Sequence, residues 1–247
     1  MQLTNKTLVL TGGASGIGRA TVLMLAAEGA RVFLCDRNEV GARETIALAK
    51  GGLVEFIPID LADGGSVATC ASEVLKRCAG KLDGFVNAAG WDRTQPFLEA
   101  DSGFIDTVLA INLSGPVKLT RALLPALIAN GGGKIVFVSS DAGRVGSSGE
   151  TPYAAAKGGI IGFTKSLARE GARYKITVNC VCPGPTDTPL FHANPERMRE
   201  ALLKAIPFRR LASPDDIAGA ILYFAGPSSD YVTGQILSVS GGLTMAG

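Results

Sequence analysis

The chain is short of the residues from which most hydrolytic and metal chemistry is built. Its 247 residues include one histidine, His192. That argues against a Ser-His-Asp hydrolase and against a histidine-rich metal centre. Its five cysteines (Cys35, Cys70, Cys78, Cys180, Cys182) are odd in number and form no CxxC pair. A disulfide framework or structural zinc is therefore not expected, and reduced thiols in the cytoplasm fit better. The net charge of +2 gives no electrostatic footprint for nucleic acid or an anionic membrane. No apolar run approaches the roughly 20 residues that cross a bilayer. The opening MQLTNKTLVLTGG has no basic segment before its apolar residues and reads as a first strand rather than a signal. No Pro/Ser-rich linker, composition change or internal repeat divides the chain.

What is present is apolar and rich in turns: 47% hydrophobic residues, 32 glycines and a mean hydropathy of +0.27. Strand-length apolar runs recur at Thr7–Thr11, Arg31–Asp36, Leu53–Ile59, Leu82–Asn87, Lys134–Ser140, Ile176–Cys182 and Gln235–Val239. Segments of helical periodicity alternate with them, at Gly16–Gly29, Asn38–Lys50 and Ser66–Gly80, then Ile105–Asn130 and Tyr153–Tyr174. Nearly continuous apolar strands alternating with helices predict an α/β fold, a parallel sheet covered on both faces. Right-handed crossovers make it doubly wound, a seven-stranded Rossmann fold. Residues 1–247 read as one dinucleotide-binding and catalytic domain. The least regular stretch, 184–207, reads as a mobile substrate flap.

Two local patterns carry chemistry. In the first, β-strand residues run into Gly12-Gly13-Ala14-Ser15-Gly16-Ile17-Gly18 and then a helix. Glycines at 12, 16 and 18 let the backbone turn sharply and approach a pyrophosphate, and the helix amino terminus offers free N–H groups. Asp36, 18 residues beyond Gly18, ends the next strand and is placed to accept hydrogen bonds from an adenosine ribose. A carboxylate there disfavours a 2′-phosphate, so NAD is expected over NADP. Arg37 is a contrary signal, since it could pair with that phosphate. Asp60-Leu61 would lie at the adenine edge, with a helix cap as the other role of Asp60. In the second pattern, Tyr153 and Lys157 stand four apart on a helix and share a face. A phenol titrates near ~10, so proton transfer near neutrality needs about 4 kcal/mol of preferential phenolate stabilisation, which a nearby ammonium can supply.

Together these patterns resemble the short-chain dehydrogenase/reductase family, over essentially the whole chain. TGGASGIG matches that family's TGxxxGxG loop, NAAG (87–90) its strand-four motif and YAAAK its YxxxK motif. Ser140 precedes Tyr153 by the usual 13 residues, Asn112 in INLSG matches the helix asparagine, and Pro183-Gly184 the PG turn. Ala88 departs from the commoner NNAG, while Asn87 and Gly90 are kept. The resemblance implies a tetrad of Asn112, Ser140, Tyr153 and Lys157. Tyr153 would exchange the hydroxyl proton and Lys157 would hold the nicotinamide ribose and depress the Tyr153 pKa. Ser140 would bind the substrate oxygen, and Asn112 a water leading to solvent. Ser15, Ile17 and Thr186 belong with the expected cofactor contacts, and Thr188 would hold the carboxamide. Ser139, the adjacent strand residue, should face away.

Substrate contacts are expected from loops after the strand ends: Trp91 and Asp92, Arg144 to Glu150, and the flap. NAAGWD, SDAGRVGSSGE, CPGPTDT and GQILSVSGGLTMAG carry a narrower resemblance. They are similar to NAD-dependent dehydrogenases of ring-borne β-hydroxyacyl-CoA thioesters, implying a cyclic, apolar 3-hydroxyacyl thioester. Acyl-thioester reductases share most of the same motifs and remain the alternative, along with other secondary-alcohol dehydrogenases. An NAD-binding sensor without chemistry would be expected to lose Tyr, Lys or Ser, and all are present. By the same resemblance the long helices would pack between subunits of a homotetramer.

Overall fold

The apolar runs become seven parallel strands: β1 (Thr7–Thr11), β2 (Arg31–Asp36), β3 (Val54–Pro58), β4 (Gly84–Asn87), β5 (Gly133–Val138), β6 (Ile176–Pro183) and β7 (Ile236–Val239). They belong to a computed structural model that describes residues 2–246. The strands pair in the order β3-β2-β1-β4-β5-β6-β7, so the winding reverses between β1 and β4. Successive side chains alternate between faces. Leu8, Leu10, Leu34, Val86, Val136 and Val181 therefore enter one apolar layer. Val9, Phe33, Phe85, Phe137, Val178 and Cys180 enter the other. Both layers are covered, which is why the strands lack the polar alternation of a half-exposed sheet.

The helices supply those covers. α1 (Gly16–Ala27), α2 (Glu39–Leu48) and α3 (Gly64–Cys78) link the first four strands. α4 (Ser102–Leu109) and α5 (Gly115–Ala129) precede β5, and α6 (Ala142–Val145) and α7 (Thr151–Gly171) precede β6. α8 (Pro189–His192), α9 (Glu196–Ala205) and α10 (Pro214–Ala225) lead to β7. Val22 and Leu25 of α1 pack with Ile217 and Phe224 of α10 on one layer. Leu119 and Leu123 of α5 and Ile160 and Leu167 of α7 fill the other. All five cysteines are free and buried. Among the described residues no helix is long and apolar enough to cross a membrane.

Three departures from the sequence reading bear on the site. The helix expected over Ile105–Asn130 is interrupted by a π turn at Ala110–Ser114, with Asn112 inside it. β5 stops at Val138, so Ser139 and Ser140 lie in the turn beyond it. The stretch 184–207 is not irregular: it carries α8 and α9, and turns Phe191 and Ile206 inward as buried side chains.

Candidate active site

The carboxyl ends of β1, β2, β4, β5 and β6 converge at the reversal point, where open α/β sheets leave a crevice. One cleft there, of about 370 Å³, is lined by Gly12, Ser15–Gly18, Asp36, Arg37, Asp60, Leu61, Ala88–Trp91 and Thr188. Its glycines have physical reasons. Gly12 has φ +81°, and a Cβ there would stand 2.6 Å from the Ala89 backbone. A Cβ on Gly18 would stand 1.9 Å from the Gly12 carbonyl oxygen. Ser15 caps α1 with no side-chain hydrogen bond, and the first turn holds no acid. The leading amides of α1 are thus left for an anion, whereas α2, α3, α4, α8 and α10 all receive side-chain caps. These features fit a dinucleotide pyrophosphate.

Asp36 is held at the cleft edge by two main-chain donors. Ala14 N–H donates to Oδ2 at 2.9 Å and Asn38 N–H to Oδ1 at 2.9 Å. Arg37 beside it is exposed. Asp60 lines the cleft but does not cap α3; that role falls to Asp63, which accepts from Gly65 N–H. Asn87 Oδ1 accepts from Thr11 Oγ1 at 2.8 Å, joining β4 to β1. Sequence reasoning missed the brace behind the loop. Arg19 donates to Ala14 O at 2.6 Å and to Thr45 Oγ1 at 3.0 Å, and Thr45 donates to Gly13 O at 3.0 Å. Thr45 lies on α2, so only the fold brings it against the loop.

A second, larger chamber of about 610 Å³ adjoins the first, and Ile17, Ala88, Gly90, Thr188 and Leu190 line both. Ser140, Tyr153 and Lys157 face this chamber, as do Pro183, Gly184 and Thr186. Lys157 is 2% exposed. Its Nζ donates to Val138 O at 3.0 Å and lies 5.4 Å from the Tyr153 ring centroid. Ser139 donates to Lys157 O at 2.8 Å, so its hydroxyl serves the α7 backbone. Ser140, one residue on, accepts from Ala142 N–H at 3.1 Å. Asn112 is fully buried. Its Nδ2 donates to Trp91 O at 2.7 Å and Val108 O at 2.9 Å, and its Oδ1 accepts from Trp91 N–H at 3.2 Å. It therefore locks the turn after β4. Gly90 fits between: a Cβ there would lie 3.1 Å from Asn112 Oδ1 and 3.2 Å from Lys157 Nζ.

The electrostatics differ from the sequence expectation. Burial pushes the Tyr153 phenol well above its ordinary value, the Glu150 and Asp92 carboxylates add to the rise, and only the Ser140 hydroxyl opposes it. Burial also pulls the Lys157 ammonium down to about 8, partly countered by Cys180, Cys182 and Asp92. The protein's own groups thus hold Tyr153 as a proton donor.

Of the expected substrate residues, Glu150 lines the chamber and so does Asp92. Trp91 instead lines the nucleotide cleft and packs edge-on against Phe104, with centroids 5.7 Å apart. Arg144 is corrected outright. The α6 turn directs it away from the chamber, so that it donates to Ser238 Oγ at 2.8 Å on β7 and to Ala246 O in the carboxyl tail. His192 is exposed and pairs with Asp187 at 2.6 Å, outside the chamber.

The chain that carries these two joined clefts is similar to known proteins. A family model described as Enoyl-(Acyl carrier protein) reductase matches residues 12–244. The 3-oxoacyl-[acyl-carrier-protein] reductase FabG of Thermotoga maritima is 37% identical over 247 residues, covering 99% of this chain and 100% of that protein. The (3R)-3-hydroxyacyl-CoA dehydrogenase of Canis lupus familiaris is 35% identical over 255 residues, covering 99% and 98%. A short-chain type dehydrogenase/reductase from Mycobacterium ulcerans superposes with a TM-score of 0.91 at 25% identity, over 98% of this chain and 91% of that one. With the motifs in place on the matching fold, the chain belongs to the short-chain dehydrogenase/reductase family, nicotinamide-dependent oxidoreductases that act on CH–OH groups.

Proposed function

We propose that this protein transfers a hydride between NAD and the 3-hydroxyl carbon of an acyl thioester, a cyclic one such as 2-hydroxycyclohexanecarboxyl-CoA. The carrying observation is the junction of the two clefts, with Ser140 and Tyr153 on the substrate side and the glycine cradle on the other. The relatives named for 3-oxoacyl and 3-hydroxyacyl substrates support the thioester class. The ring is supported by the narrower sequence resemblance and by the apolar wall of Val145, Phe191, Met198 and Leu202.

Bound NAD supplies the hydride acceptor; the chain's residues do the rest. Residues 1–247 act as one dinucleotide-binding and catalytic domain. The α1 amides and Gly12–Gly18 bind the pyrophosphate, Asp36 the adenosine ribose, and Asp60 and Leu61 flank the adenine. Thr188, whose methyl group would meet a Cβ on Gly16 at 3.1 Å, holds the carboxamide. Lys157 binds the second ribose. Ser140 donates to the substrate oxygen as charge develops there, the kind of fixed-dipole stabilisation that water cannot match. Tyr153 Oη gives its proton to that oxygen in reduction and takes it in oxidation. The α8–α9 segment covers the thioester and excludes water. Asn112, beyond fixing Trp91, stands next to Lys157 on the route for proton exchange with solvent. On the far side, Gly162 of α7 faces open space and Ala155 is exposed, a surface suited to close subunit contact in a homotetramer.

A second reading, an NADPH-dependent 3-oxoacyl-carrier-protein reductase, is favoured by exposed Arg37 at the cleft edge and by the FabG likeness. Asp36 supports the first reading. A carboxylate facing a phosphate across about 4 Å costs about 1 to 4 kcal/mol between bulk water and a protein surface. The wild-type enzyme should therefore prefer NAD by at least about tenfold in kcat/KM, and Asp36→Ala should shift the NADP-to-NAD ratio by a further ten- to a hundredfold. The assay follows reduced cofactor formed from a panel of secondary alcohols and 3-hydroxyacyl-CoAs. Equal efficiency with both cofactors refutes the NAD assignment. Simple alcohols turning over as well as ring thioesters refutes the substrate class.

A further inference from the structure

Three carboxylates that hydride transfer does not use line the chamber, Asp92, Asp141 and Glu150, and of these Asp92 stands out. Asp92 lies two residues past Gly90 and lines the chamber with Ser140, Glu150 and Tyr153. Both of its carboxylate oxygens are buried and neither makes a hydrogen bond of normal geometry, although the adjacent Arg93 N–H lies close enough to favour the ionised form. Leaving a buried acceptor unsatisfied costs about 1–3 kcal/mol, more when it is charged. Neither nearby cation pairs with it. Arg93 donates to Gln95 Oε1 at 3.0 Å and lies 5.0 Å over the Phe104 ring. Lys157 Nζ donates to Val138 O, not to Asp92. Among the described residues Asp92 makes no ion pair. Burial accordingly holds its carboxyl up at about 6, with Glu150 adding to the rise and the Arg93 amide and Lys157 opposing it. The Trp91 backbone on its amino side is clamped by Asn112, so Asp92 has a fixed base from which to present an acceptor.

We propose that Asp92 is a substrate-binding residue, accepting a hydrogen bond from a neutral N–H or O–H donor of the substrate other than the reacting hydroxyl. Two chemistries offer such a donor: the amide of a thioester's pantetheine arm, and a second hydroxyl on the ring. Both suit a chamber in which Asp92 and Glu150 would repel a free carboxylate. The inference rests on the thioester reading for the first source and is independent of it for the second.

Matched probes separate the cases. S-acetoacetyl-N-acetylcysteamine and S-ethyl acetothioacetate, reduced with NADH, differ by the amide-bearing arm. Cyclohexane-1,2-diol and cyclohexanol, oxidised with NAD, differ by the second hydroxyl. Asp92→Ala should lower kcat/KM for the donor-bearing member of one pair by roughly ten- to a hundredfold more than for its partner, as loss of a hydrogen bond to a charged acceptor predicts. Asp92→Asn, which keeps an acceptor oxygen, should recover part of that difference. The responding pair identifies the donor. A uniform loss across all four probes makes Asp92 a support for Tyr153 or for the fold and overturns the proposal, as does no loss. A wild-type enzyme inactive on both thioesters refutes the proposed function instead. The alcohol pair then decides alone: a split supports the Asp92 contact, and no split or no turnover overturns it.

Discussion

Replacing Tyr153 with phenylalanine is expected to lower kcat in both directions by about a thousandfold, within the hundred- to ten-thousandfold range of positioned acid–base groups. NAD affinity should fall by no more than about fivefold, because the lost hydroxyl contributes one hydrogen bond of about 1 kcal/mol at most to the ground state. The direction of the Tyr153 shift adds a second readout. Burial, Glu150 and Asp92 all disfavour the phenolate, so the phenol stays protonated through neutrality and reduction should be nearly independent of pH there. Oxidation needs the deprotonated oxygen and should climb steadily as pH rises. Initial rates in both directions and a fluorescence titration of NAD check these statements. A Tyr153→Phe enzyme with unaltered turnover would remove Tyr153 from the reaction.

How far the site was legible depended on whether a residue's role is local. The cradle was legible because the glycine spacing is dictated by contacts within one strand–turn–helix unit, as at Gly12 and Gly18. Tyr153 and Lys157 were legible because one turn of α7 places both. Ser140 was singled out from Ser139 by its spacing to Tyr153; in the fold both line the chamber, and Ser139 differs in donating its hydroxyl to the α7 backbone. The sheet itself followed from apolar runs, since parallel strands buried on both faces admit few polar residues.

Roles set by tertiary packing were not legible. The π turn at Asn112 adds a residue to one helical turn without changing the apolar pattern enough to break its periodicity. Arg144 sits in a loop-like glycine-rich stretch, but the one-turn helix α6 directs it onto β7 and the tail. Arg19 and Thr45 grip the glycine loop only because α2 packs beside α1. Asp92 was expected among the substrate contacts from its place after β4, but nothing in the sequence set it apart from its neighbours there. Its interest arises from the burial of both oxygens, a property of the folded chamber.

Lys157 should show the conflict between stability and function most directly. Its ammonium is 2% exposed and drops from 10.5 to about 8, chiefly through burial. That drop corresponds to about 3 kcal/mol of preference for the neutral amine in the folded protein. The sign follows: the unfolded chain binds the proton more tightly between pH 8 and 10.5, so wild-type stability rises with pH through that window and is lowest below it. Lys157→Met keeps an unbranched stem one atom shorter and removes the charge, at the loss of one hydrogen bond to Val138 O, about 1 kcal/mol. The net gain at pH 7 is about 2 kcal/mol, or about 4 to 8 °C in Tm for a chain of this size. The advantage should shrink between pH 8 and 10. Meanwhile kcat/KM should fall by about a hundred- to a thousandfold, through loss of charge-assisted contacts to the cofactor ribose. Thermal melts of both proteins from pH 6 to 10, paired with steady-state kinetics, test the two halves separately. A variant less stable than wild type at pH 7, or a Tm difference that ignores pH, would mean that the Lys157 charge is not strained in the fold.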